Sequence, residues 1–107
     1  MSTFTYESKY GTYKESFFRV GHYENGNLAI EICSIEEGNI TRVKVNPDIK
    51  IPQTQIAVKD YFENEGMVDW LISQDIIEQN PVKVVESGWV EIPIFNLTPT
   101  GIKMLEV

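Results

Sequence analysis

The segment Glu24-Asn25-Gly26-Asn27 constrains the chain most, because Asn-Gly between two β-patterned runs is a strong short-range hairpin signal. Both central residues tolerate the positive φ angles of a type I′ turn, whose twist suits antiparallel strands. Before it, Thr12 to Tyr23 carries Phe17, Phe18, Val20 and Tyr23 as apolar members. After it, Leu28-Ala29-Ile30-Glu31-Ile32-Cys33 alternates, which places Leu28, Ile30 and Ile32 on one buried face. A second turn at Glu36-Glu37-Gly38-Asn39 leads into Ile40–Val45, where Val43 and Val45 alternate with Arg42 and Lys44 as on a half-exposed strand. Residues 13–45 thus read as a three-stranded meander, preceded by a further strand over residues 3–8.

Pro47 and Pro52 punctuate an irregular link, since each removes an amide donor and restrains its predecessor. Gln55–Val58 reads as a short strand that delivers the chain to a helix. Within Val58–Leu71, Met67, Trp70 and Leu71 share a helical face and Asp69 points away. Asp60 with Glu63 has capping-box spacing, and Asn64 is a competing N-cap. Two more strands follow, Val82–Val85 and Trp89–Phe95, around a turn at Ser87-Gly88. Pro93 cannot donate to a ladder and so predicts an edge strand or a bulge. From Leu97 the tail holds Thr98-Pro99-Thr100-Gly101 and a short apolar run, to which the pattern assigns no element. The expected architecture is α+β: an antiparallel sheet of about five strands with one short helix against it, in a single domain over residues 1–107.

With 107 residues, 42% hydrophobic and 23% charged, the chain suits one folded domain rather than a disordered one. A formal charge of −7 argues against direct binding to nucleic acid or anionic membrane, and permits a basic protein partner. The amino terminus lacks a basic segment followed by an apolar run, and no stretch is apolar enough to span a bilayer. Cys33 is the only cysteine, which excludes an internal disulfide and suits a reducing compartment. A cytoplasmic location is expected.

Catalytic and metal motifs fail on inspection. His22 and Cys33 are the only histidine and cysteine. A two-residue Asn25-Gly26 turn pairs His22 with Ala29 and Phe18 with Cys33, leaving His22 and Cys33 ~13 Å apart; one more loop residue puts them on opposite faces. Aligning Gly66 with the glycine of an EF-hand loop puts Tyr61 and Ile72 at ligand positions that require acids. No enzyme, metal or cofactor is expected.

The charge distribution says more. Asp60, Glu63, Glu65, Asp69, Asp75 and Glu78 lie in a span with no Lys or Arg between Lys59 and Lys83. They make either a solvated outer helix face or a negative field aimed at a basic groove. By charge alone the solvated face is the stronger reading. Trp70 and Trp89 are core anchors, or interface anchors if exposed beside the acids.

Several segments carry a resemblance: Asn25-Gly26-Asn27-Leu28-Ala29-Ile30, Val45-Asn46, Lys59-Asp60 through Glu63-Asn64-Glu65-Gly66-Met67, and Ser87-Gly88-Trp89-Val90-Glu91-Ile92-Pro93. In this order they resemble a family of small acidic bacterial proteins, about the length of this chain, carried on conjugative elements, plasmids and phages. The resemblance implies an accessory protein that inhibits host defence, of the anti-restriction or anti-CRISPR kind, with a type II CRISPR nuclease as the expected target. It supplies no catalytic residues. The expected function is therefore binding and inhibition of a nucleic-acid-processing host protein, with Asp60, Glu63, Glu65, Asp69 and Trp70 as partner-binding residues. The alternatives are a structural or regulatory module working through homodimerisation or sheet-edge peptide binding, and a small hydrolase or carboxylate metal enzyme.

Overall fold

The computed structural model describes residues 3–47 and 49–106. Strands β1 (Phe4–Ser8), β2 (Gly11–His22), β3 (Leu28–Ser34) and β4 (Gly38–Arg42) follow one another as an antiparallel sheet in the order β1-β2-β3-β4. The β2–β3 loop has three residues rather than two. Tyr23 N donates to Asn27 O at 2.8 Å, Gly26 N donates to Tyr23 O at 2.9 Å, and Gly26 takes a φ of 88°. A left-handed glycine closing a three-residue loop is the next commonest hairpin solution after the primed turns.

Asn27 explains the choice of loop. Its side chain is fully buried and is held by Asn46 Oδ1, the Ile49 carbonyl and the Ile51 amide at 3.0, 2.8 and 3.0 Å. It thus anchors the hairpin to the proline-flanked link. The register moves by one residue from the two-residue expectation, pairing His22 with Leu28 and Phe17 with Cys33. His22 and Cys33 lie on opposite faces, and no imidazole–thiol pair forms. Leu28, Ile30 and Ile32 are buried, as their alternation predicts.

β4 stops at Arg42, short of the expected Val45. The chain there leaves the first sheet for the second, a three-stranded antiparallel sheet in which β7 (Val90–Asn96) lies between β5 (Gln55–Ala57) and β6 (Lys83–Ser87). Val43 N still donates to Ile30 O at 2.9 Å, while Lys59 N donates to Val43 O at 3.0 Å and Val45 N to Ala57 O at 3.1 Å. Consecutive Val43 and Lys44 are each only 1% exposed: Val43 joins the main core, and the Lys44 ammonium donates to the Leu28 carbonyl. The half-exposed strand read from the sequence is corrected here: Lys44 is inside.

Pro93 sits in the central strand rather than at an edge. Its carbonyl accepts from Val58 N at 3.0 Å. The reciprocal bond is the one a proline cannot make, and it falls where β5 has already ended.

The expected helix is a short 3-10 turn, Phe62–Asn64, followed by α1 (Met67–Ser73). Met67, Trp70 and Leu71 are buried and Asp69 is exposed, as the spacing predicts. A second helix, α2 (Pro99–Leu105), occupies the tail. Thr98 caps it by accepting from Gly101 N at 2.9 Å, with Pro99 in the first turn. The fold is α+β, and the described residues form seven strands in two sheets and two helices rather than one sheet and one helix. The main core joins β1, β3, α1 and α2 to Ile56 and Phe95, while Ile51, Ala57, Ile92 and Ile94 form a smaller cluster.

Candidate protein-interaction surface

Asp60, Glu63 and Glu65 are bonded within the protein, although of the six acids only Asp60 is partly buried and the others are exposed. Asp60 is half-buried and its Oδ1 accepts from Val68 N at 3.0 Å, capping α1 across eight residues. This replaces the expected capping box, and it is needed because Gly66, the residue before α1, has no side chain with which to cap it. Asn64 is not a helix cap either. It is buried, accepts from Thr41 Oγ1 at 2.6 Å, and donates to the Arg42 carbonyl, which fastens the 3-10 turn to the end of β4.

Glu63 pairs with Lys59 four residues earlier, and that hydrogen bond, with help from its own backbone amide, holds its carboxyl below the usual range. Glu65 meets Lys9 at 3.3 Å. Asp69 alone of the four is exposed and unpaired among the described residues.

Trp70 is a core residue and not an interface anchor. It is 8% exposed, with ring centroids of Tyr6 and Phe4 at 4.9 and 5.5 Å. β1 supplies both neighbours, and Phe18 of β2 completes the wall at 6.3 Å. A partner could reach the indole only by lifting the first hairpin off α1. The helix face that opened the functional reading therefore offers one free carboxylate and no apolar anchor.

The β6–β7 hairpin has the opposite character. Ser87 pairs with Val90, and between them Gly88 takes a φ of 61° while Trp89 does not enter the positive range. Glycine first in a two-residue loop is the sequence requirement of a type II′ turn. Trp89 at the tip is fully exposed. An indole presented wholly to water gains nothing for the fold, whereas buried tryptophan is a preferred interface anchor.

Beside the tip, Glu86 and Glu91 are direct cross-strand partners, and both are exposed. Opposed like charges oppose strand pairing by a few tenths of a kcal/mol. The hairpin tolerates them because Val85 and Ile92, one position further on, face the smaller core cluster. β6 is also a sheet edge, with Val82 and Val84 exposed along it. Its register was partly readable from Ser87-Gly88, but nothing in the sequence separates an exposed tip tryptophan from a buried one.

Elsewhere the chemistry is quiet. His22 Nε2 lies 2.9 Å from Gln53 Oε1, an exposed contact with no nucleophile beside it. Among the described residues, no three His, Cys, Asp or Glu side chains gather as metal ligands, and no helix is long and apolar enough to cross a membrane. No protein-family model matches the chain, and neither a curated protein nor a solved structure is found to match it.

Proposed function

We propose that this protein is a non-catalytic binding module whose β6–β7 hairpin docks on the basic surface of a nucleic-acid-processing protein. The observation that carries this reading is the fully exposed Trp89 beside the opposed Glu86 and Glu91. A partner lysine or arginine would relieve the repulsion between the glutamates, and an apolar slot next to it would take the indole. The net charge of −7 favours encounter with such a surface. The family resemblance supports a role as an inhibitor carried by a mobile element, with a type II CRISPR nuclease as the first partner to try.

The test is direct titration of a purified type II CRISPR nuclease at low and moderate salt, with cleavage followed in parallel. Wild-type binding is expected to weaken as salt rises. Trp89→Ala, and separately Glu86→Lys with Glu91→Lys, are expected to weaken it about thirtyfold. Thermal stability should be unchanged in both, because all three side chains are exposed. Unchanged affinity in both variants would overturn the surface, and absence of binding would overturn the partner. Reversing Glu63, Glu65 and Asp69 to lysine is the weaker test. Two of those acids already pair with Lys59 and Lys9, and their reversal sets cations against one another within the protein.

The unpaired β6 edge favours a second reading, self-association by strand addition through Val82 and Val84. Sedimentation at rising concentration separates the two. A dimer that ignores salt and survives Glu86→Lys supports the edge, and a monomer removes it.

A further inference from the structure

The outer edge of β6 has a fixed hydrogen-bonding phase. Val82 N donates to the Ile94 carbonyl at 2.8 Å, while the Pro93 carbonyl accepts from Val58 N on the β5 side. Ile94 therefore turns its polar groups toward β6, and Pro93 turns its own away. Residues along an antiparallel ladder alternate between these two states, and direct partners share the same state. Val84 lies opposite Pro93 and Glu86 opposite Glu91, with regular pairing between them. The N–H and C=O groups of Val84 and Glu86 thus open outward from the sheet. Among the described residues nothing bonds them there.

The side chains of the same stretch carry a second pattern. One face of the hairpin holds Val85 and Ile92 against the smaller core cluster. The other holds Val84 and Glu86 of β6 with Pro93 and Glu91 of β7, and all of these but Pro93 are exposed. An apolar pair is thus followed, toward the tip, by an acidic pair. Neither glutamate makes an ion pair among the described residues, and none of the four others, Met1, Ser2, Asp48 and Val107, has a basic side chain. The two carboxylates also stand in the closer of the two cross-strand arrangements.

A free edge is a template for another strand, and chains commonly guard it with lysine or proline. β6 has Lys83 at its first position and no proline within it. A second copy of this chain is a poor occupant, because it brings a further net charge of −7 to an acidic edge. A basic strand is a good one, since its cations would lie beside the paired glutamates.

We propose that β6 takes up an extended basic peptide segment of its partner as an added antiparallel strand. The inference rests on the docking role of this hairpin argued above and specifies how the partner is held. The amides and carbonyls of Val84 and Glu86 bond the incoming backbone. Residues opposite one another share a face, so the incoming residue across from Glu86 is lysine or arginine. The residue across from Val84, two positions later in the antiparallel segment, is aliphatic.

The probe is the fluorescently labelled, amidated heptapeptide Arg-Thr-Arg-Thr-Val-Thr-Val, titrated with the full chain and followed by anisotropy. A Kd of about 100 µM is expected. N-methylation of the second arginine and the first valine, which lie across from Glu86 and Val84, should weaken binding at least about tenfold. N-methylation of the threonine between them, whose N–H points away from β6, should leave it within about twofold. Val84→Pro removes an outward N–H without touching the β7 ladder, so it should weaken the peptide about tenfold and change the melting temperature little. Glu86→Lys with Glu91→Lys should weaken it at least as much.

No binding at millimolar peptide overturns the added strand. So does equal binding by the peptide methylated at both bonded positions; if the glutamate reversal still weakens that peptide, the hairpin meets its partner by charge and the docking role stands alone. A dimer that Val84→Pro dissolves would give the edge to a second copy and overturn the proposal. Absence of nuclease binding in the titration above overturns that partner, and leaves the peptide result to decide the strand.

Discussion

Gly101→Ala is expected to destabilise the protein by about 3 kcal/mol or more, against the sign that helix propensity predicts. Gly101 lies inside α2, where alanine is normally better than glycine by about 1 kcal/mol. Here an added Cβ would sit 2.1 Å from the Ile76 carbonyl oxygen, 3.0 Å from its carbon and 3.1 Å from its Cα. All three atoms are backbone, so no rotamer change clears them. Either α2 retreats or the segment after α1 moves, and both responses are costly. Thr98 Oγ1 accepts from Gly101 N at 2.9 Å and donates to the Asp75 carbonyl, so the cap and the docking contact are one group. Leu105, 3% exposed in the main core, is lost with them. Urea denaturation followed by tryptophan fluorescence measures the effect, with Thr98→Ala as a milder companion costing about 1 kcal/mol. An unchanged or higher midpoint for Gly101→Ala would falsify the docking of α2 on Ile76.

Local pattern was enough for the strands that cover one face of the core. Leu28, Ile30 and Ile32 alternate with half-buried Ala29 and Glu31 because one face of β3 is buried more completely than the other, and a period of two reports that directly. Met67, Trp70 and Leu71 reported α1 in the same way. Where a segment serves two sheets, the period fails. Val43 and Lys44 are both buried, Val43 in the main core and Lys44 with its ammonium on the Leu28 carbonyl. No local signal announces that. Pro93 predicts an edge strand or a bulge, whereas its missing donor lies opposite the end of β5 in a central strand. α2 also has a local signature. Thr98-Pro99 is an N-cap followed by proline at the first helical position, and Ile102 and Leu105 supply the spacing of a short apolar stripe. Only Gly101, poor in propensity and required by Ile76, argues against it.

For the candidate surface, the sequence places acids and a tryptophan together around α1, where the structure gives Asp60, Glu63 and Glu65 partners and buries Trp70. Asp60, Glu63 and Glu65 each have an internal task, as cap or as lysine partner, and Trp70 is a core ring. The same two ingredients occur in the β6–β7 hairpin, where nothing internal employs them. Charge density along a sequence does not reveal which charges are already answered. That depends on long-range pairs such as Lys9 with Glu65, fifty-six residues apart.

Lys44 supplies the other large effect, and its sign is set by linkage. Burial pushes its pKa down to about 8 from an ordinary 10.5. Between those values the unfolded chain holds a proton that the folded chain has released, so stability rises with pH across that window. Below it both states are protonated, and the folded protein bears the full cost of burying the cation, roughly 3 kcal/mol at most. Lys44→Met is therefore expected to stabilise the protein near neutral pH. The gain is reduced by about 1 kcal/mol for the lost hydrogen bond to the Leu28 carbonyl. In the variant the alkaline rise should vanish. Tyr6 works the other way: burial raises its pKa, so its folded form holds its proton longer and stability falls once the unfolded tyrosine ionises above about pH 10. Urea midpoints at about pH 7 and about pH 9.5 stay below that region. The expected result is a midpoint that climbs in the wild type and stays level in Lys44→Met. Equal climbs in both would assign the rise to another group and remove Lys44 as its source.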